Sequence, residues 1–165
     1  MRVPWPSVAA GVVIAGVGAA GLIRGAMPQA AAGSGPSTST PIVVTNAYVR
    51  APVPPTKAAA AYFTVYNTTG TDDRLTGVQT GAGATAVLHS VNPDGSMSVD
   101  ADGVLVPAHG TLKLSTGKGH VMIQHLFGKL SPGDQVNIEL DFQNAGPVDV
   151  VARVIAFGAT PPGGK

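Results

Sequence analysis

Apolar and polar positions alternate most cleanly towards the C-terminal end of the chain. From Gln135 to Phe142, Val136, Ile138, Leu140 and Phe142 fall on one side, and Asn137, Glu139 and Asp141 on the other. A period of two belongs to a strand with one face in a core and one in water. Val148, Val150, Ala152 and Val154 repeat the pattern beyond an Asn144-Ala145-Gly146-Pro147 turn, which predicts a hairpin. Residues 42–49 and 59–66 read as two earlier strands, separated by the proline-rich stretch 52–56. In the second of these, Tyr62, Thr64 and Tyr66 share a face, with Phe63 and Val65 opposite. Shorter candidates are 74–78, 85–90, 103–106, 111–114 and 120–124. Turn sequences punctuate them: Asn67-Thr68-Thr69-Gly70, Pro93-Asp94-Gly95, Ser115-Thr116-Gly117 and Ser131-Pro132-Gly133-Asp134. Eight or nine short strands at this spacing predict an all-β domain, a two-sheet sandwich with Greek-key connections.

The N-terminal pattern is different. Arg2 precedes an apolar run over 8–23, closed by Arg24, and Ala30-Ala31-Ala32 has the small side chains that a signal peptidase reads. Residues 1–32 are therefore expected to be a signal peptide or an uncleaved N-terminal membrane anchor. Either places the remainder outside the cytoplasm, in the periplasm, secreted, or held at the outer face of the membrane. Residues 33–41 form a Ser, Thr, Gly and Pro tether, 42–157 the folded domain, and 158–165 a tail expected to be disordered.

Composition narrows the function classes. Only 12% of residues are charged and the formal net charge is +1, with no Lys/Arg run, so a nucleic-acid surface is not expected. There is no cysteine. That removes disulfide scaffolds, Cys-ligated zinc, iron–sulfur clusters, thiol catalysis, blue-copper centres and a lipid-modified cysteine.

Outside the export segment, which holds Met1 and Met27, the methionines are Met97 and Met122, and the histidines are His89, His109, His120 and His125. His120-Val121-Met122 is the sharpest local feature. Residues two apart in a strand point to the same face with Cα atoms about 6.5–7 Å apart, so an imidazole and a thioether can converge on one ion. His89 ends an apolar run, and Met97 follows the Pro-Asp-Gly turn. A hairpin or loop there can bring both against the His120 strand. Thioether sulfur is soft and neutral, and it prefers Cu(I) to Zn²⁺, Ca²⁺ or Mg²⁺. Read alone, each methionine could equally be core filler and each histidine an ordinary surface residue.

Taken together, these residues resemble the bacterial periplasmic copper chaperone family that supplies copper to cytochrome c oxidase, a cupredoxin-like, Ig-like β-sandwich. The similar stretch runs from Asn46-Ala47-Tyr48-Val49-Arg50 to Val154. It includes His89, Met97, Val106-Pro107-Ala108-His109-Gly110 and His120-Val121-Met122, with twenty-two residues between Met97 and His120. The resemblance implies that His89, Met97, His120 and Met122 ligate Cu(I). It also implies delivery towards the dinuclear copper centre of the oxidase, with a copper-accepting oxidase subunit or a thioredoxin-like copper protein as partner. Relative to the family pattern, the His89–Met97 interval is short, Ser90 stands where Met or Glu is common, and His109 stands where Gly is usual. His109 and His125 are candidates for an auxiliary Cu(II) site.

Other functions stay open on the sequence: copper storage without a delivery partner, or a metal-free β-sandwich interaction module. An enzyme is not expected. No acidic residue lies near His120 in sequence, and Ser90 and His89, being adjacent in a strand, point apart.

Overall fold

The computed structural model describes residues 41–163. The expected export segment, and the tether up to residue 40, lie outside the described residues.

Ten strands follow in chain order: β1 (Ile42–Arg50), β2 (Ala58–Asn67), β3 (Asp73–Thr80), β4 (Gly83–Val91) and β5 (Met97–Val99), then β6 (Val104–Val106), β7 (Thr111–Lys113), β8 (Gly119–Leu126), β9 (Gln135–Phe142) and β10 (Gly146–Ile155). None of the described residues is helical. The long alternating runs are strands as expected, and the predicted C-terminal hairpin is β9–β10, paired from Gly146↔Phe142 to Arg153↔Gln135. One strand was not foreseen. The segment after Asn92 returns along β4 as β5, which pairs Val91↔Met97 and His89↔Val99.

Hydrogen bonding links the strands in the order β5-β4-β8-β2-β1-β10-β9-β3-β6, with β7 on β2. The parallel pairing of β1 with β10 joins the two halves of this curled sheet. Strands β3 and β4, consecutive in the chain, belong to opposite halves, a Greek-key crossing that makes the sheet a sandwich.

Alternation decides what lies between the layers. Phe63 and Val65 of β2, Leu88 of β4, Val121 and Ile123 of β8, Ile138 and Leu140 of β9, and Val154 of β10 form one continuous core. Their sequence neighbours Tyr62, His89, His120 and Met122 are therefore turned to the outer face of the β4-β8-β2 layer.

Crossing loops are held by buried polar groups. The Asn67 carboxamide donates to the Thr71 and Val106 carbonyls and accepts from Thr69. The Asp73 carboxylate accepts from the Asn144 and Ala145 amides.

Ile123 is fully buried on the core face of β8, the strand whose outer face carries His120 and Met122. Ile123→Ala is expected to cost about 2–5 kcal/mol of stability through lost burial and a residual cavity. Urea denaturation checks this, and a loss below about 1 kcal/mol would mean that β8 is not packed as described.

Candidate metal centre

The site begins with a register. His89 of β4 lies directly opposite His120 of β8, with Leu88↔Val121 and Val87↔Met122 on the following rungs. Directly paired residues present their side chains on the same face. The two imidazoles thus meet above the sheet, ring centroids 5.3 Å apart and planes at 53°. Gly119 permits this approach of strands: a Cβ there would sit 2.9 Å from the His89 carbonyl oxygen.

Both rings carry an unsatisfied nitrogen. His89 Nδ1 and His120 Nε2 are buried with no hydrogen-bond partner. Such a group costs about 1–3 kcal/mol when left alone. Metal-binding histidines usually have their second nitrogen oriented by a carboxylate or carbonyl. Here aromatic packing flanks the pair instead. Ala61 pairs with Val121, so the next rung sets Tyr62 beside His120, ring centroids 6.0 Å apart. Tyr48, paired with Tyr62 across β1 and β2, stacks on it at 5.0 Å and 20°. A single row therefore crosses the layer: Tyr48, Tyr62, His120, His89 and Val99.

Burial pushes the His120 pKa below the ordinary histidine value, and the neighbouring His89 adds a smaller push in the same direction. The neutral ring, with a lone pair free for a ligand, is the favoured form.

Met122 shares this face, two residues along β8 from His120, and half-buried beside Ala60 of β2. Its side chain lines a hollow with Tyr62 and Ala60. Met97 also faces outward, since it pairs with Val91 on the same side as His89, but it is 54% exposed. Met97 and Met122 flank the imidazole pair on opposite diagonals. On a flat sheet their Cα atoms would be roughly 16 Å apart, two strands and four residues. His89, His120 and Met122 are thus neighbours. Met97 stands at the mouth of the β4–β5 hairpin and is one rung pair from His89.

His109 and His125 are not close to one another. The His109 amide bonds the Thr69 carbonyl just past the C-terminal end of β2, whereas Leu126, next to His125, bonds Lys57 just before its start. Ten residues of strand, roughly 30 Å, lie between. The auxiliary site expected from these two histidines within one chain is excluded by that separation. Ser90 offers no nucleophile to His89: its hydroxyl donates to Asp100 on the other side of the strand.

Sequence reasoning missed Tyr62 and Tyr48. The alternation of Tyr62 with Thr64 and Tyr66 was visible, but not which strands that face would adjoin, and Tyr48 lies on the neighbouring strand β1.

The geometry defines a β-sandwich with a paired-imidazole and thioether centre on the outer face of one layer. A family model described as "Putative lipoprotein LpqE-like" matches residues 42–154. The chain belongs to this LpqE-like family. No protein of curated function matches it in sequence.

Among solved structures, the copper-bound PCuAC domain from PmoF2 superposes with a TM-score of 0.62 at 24% identity, covering 70% of this chain and 93% of that one. The apo PCuAC domain from PmoF1 gives 0.63 at 26%, covering 70% and 94%. The solution structure of CuI-DR1885 from Deinococcus radiodurans gives 0.59 at 29%, covering 68% and 76%. The fold is that of a PCuAC domain, a cupredoxin-like sandwich.

The pKa shift of His120 has a measurable consequence in the metal-free chain. Its NMR titration midpoint should fall below 6.5. As pH drops below that value the unfolded chain takes up a proton that the folded chain refuses. The contribution to stability present at neutral pH is then lost until the folded pKa is passed. A midpoint at or above the ordinary value would mean that the ring is not buried as described.

Proposed function

We propose that the chain is an extracytoplasmic copper chaperone that binds one Cu(I) ion at His89, His120 and Met122, with Met97 closing the set from the β4–β5 hairpin. The observation that carries this reading is a buried, unpartnered nitrogen on each of two imidazoles whose ring centroids lie 5.3 Å apart, with Met122 two residues along β8 from one of them. Two neutral nitrogens and neutral sulfur suit a soft monovalent cation, which needs no counter-charge and tolerates low coordination. Harder ions find less here. Among the described residues no three His, Cys, Asp or Glu side chains gather as a ligand group. Two neighbours of the same fold carry copper in their descriptions, one of them as Cu(I).

The family description supports the proposed location, and the resemblance to the copper chaperones supplies the proposed destination. The LpqE-like description names a lipoprotein, which supports a place outside the cytoplasm. This sequence has no cysteine, so attachment would fall to the apolar N-terminal segment rather than to a cysteine-linked lipid. Delivery towards the dinuclear copper centre of cytochrome c oxidase, directly or through a thioredoxin-like copper protein, is the role proposed for the loaded chain. The transfer is a ligand exchange without redox change. A thiolate of the acceptor takes the place of a neutral thioether, and the imidazoles leave last because they are fixed in the sheet.

Anaerobic titration of the full chain with Cu(I) against a chromogenic chelator tests the site. A one-to-one complex is expected, lost in His120→Ala and Met122→Ala. Because Met97 is exposed and set off from the other thioether, Met97→Leu should weaken binding less than Met122→Leu. Equal binding by wild type, His120→Ala and Met122→Ala would remove the assignment, and a greater loss at Met97 would invert the ranking of the sulfurs.

A further inference from the structure

We propose that the apolar hollow beside Met122 seats a copper-exchanging protein whose contact surface is apolar at its centre and acidic at its rim. This rests on the reading of the site as a copper centre. The hollow, about 430 Å³, has Met122, Tyr62 and Ala60 on its floor and Val53, Phe157 and Arg50 round its edge. A second hollow adjoins it across the loop between β1 and β2, sharing Pro52 and Thr56, and adds Phe127, Lys57 and Lys129.

Three large apolar side chains stand out of this surface: Val53 is 50% exposed, Phe157 64% and Phe127 72%. Scattered apolar residues are normal on a soluble domain, but a cluster around a concave floor marks a place for a partner. The ridge of Val53 and the two phenylalanines adds nothing to the core and costs solubility. Val53 and Phe157 line the same hollow as the Met122 thioether, and Phe127 lines the adjoining one.

Charge identifies the kind of partner. Arg50, Lys57 and Lys129 line the two hollows, and no carboxylate does. The acidic side chains Glu139 and Asp149 lie on the β9–β10 half of the sheet and line a different hollow. Arg50 is locked in place, its guanidinium donating to the Phe157 and Ala159 carbonyls while standing 5.8 Å over the Tyr48 ring. A fixed cation and two free lysines round an apolar floor complement an apolar tip fringed by Asp and Glu, which steers encounter more than it adds to affinity. An anionic bilayer would match the charge, but it brings no ligand to the metal and presents no convex tip to a concave floor.

Stopped-flow transfer of Cu(I) from the full chain tests this. The probe is the metal-free, reduced form of a soluble dinuclear-copper domain of a cytochrome c oxidase whose copper loops are ringed by acidic side chains. Wild type is compared with Lys57→Glu/Lys129→Glu and with Val53→Asp. Each protein's Cu(I) affinity is measured separately by competition with a small chelator. Affinities should agree within about twofold, whereas transfer should slow by about tenfold or more in both variants. Added salt should slow wild type and leave the charge-reversed variant little changed.

Equal transfer rates, salt-independent transfer, or no transfer from loaded wild type would overturn the proposal. So would sedimentation with anionic vesicles that the variants lose, which assigns the surface to lipid. A concentration-dependent dimer abolished by Val53→Asp would assign it to a second copy. Failure of wild type to take up Cu(I) at all would instead bring down the copper reading itself, a result the chelator competition reports independently of transfer.

Discussion

The proposed centre depends on one antiparallel rung, His89 opposite His120, with a nitrogen of each ring buried and unpaired. Folding normally removes such groups, because a lone buried acceptor forfeits its bond to water without replacement. On the proposed reading, a bound ion supplies the partner that both nitrogens of this rung lack. The rest of the layer serves that rung. Val121 and Ile123 anchor β8 from below, Leu88 does the same for β4, and Gly119 lets the two backbones close up at the rung's edge. Tyr62, braced by Tyr48, packs against the outer side of His120.

As a copper centre, this arrangement would place specificity in softness rather than in charge. No carboxylate stands among the imidazoles and thioethers, so a divalent hard ion gains little from the site. In the proposed role, a neutral ligand set would also ease release, the sulfur ligands being exchanged one at a time while the histidines stay fixed by the sheet. The concave, cation-fringed surface at the Met122 end and the exposed Met97 at the other end give the site two different approaches. The first is a hollow lined by Met122, Tyr62 and Val53, whereas Met97 and Val99 stand exposed on the short β5 strand at the second.

Much of the fold was legible in the alternation of side chains. The β9–β10 hairpin, the outward turn of His120 and Met122, and the inward turn of Val121 and Ile123 all follow from a period of two. Strand β5 was not legible, because Met97-Ser98-Val99 is too short to show a period and has no buried side chain to give one away. The His89–His120 pairing was not legible either. Rungs between distant strands are fixed by the packing of the whole layer, and nothing local to either histidine encodes its partner. The same holds for Tyr62, whose neighbour across the sheet appears only once β2 is known to lie beside β8. His109 and His125 looked like a possible pair because nothing local to either shows that they lie by opposite ends of β2.

The most direct test of the central claim is copper K-edge X-ray absorption of the full chain loaded with one equivalent of Cu(I). We expect an edge typical of Cu(I) and a first shell containing two imidazole nitrogens together with thioether sulfur, the imidazole multiple scattering falling by half in His89→Ala. A shell of nitrogen and oxygen alone, or one whose imidazole content is unchanged by that substitution, would contradict it.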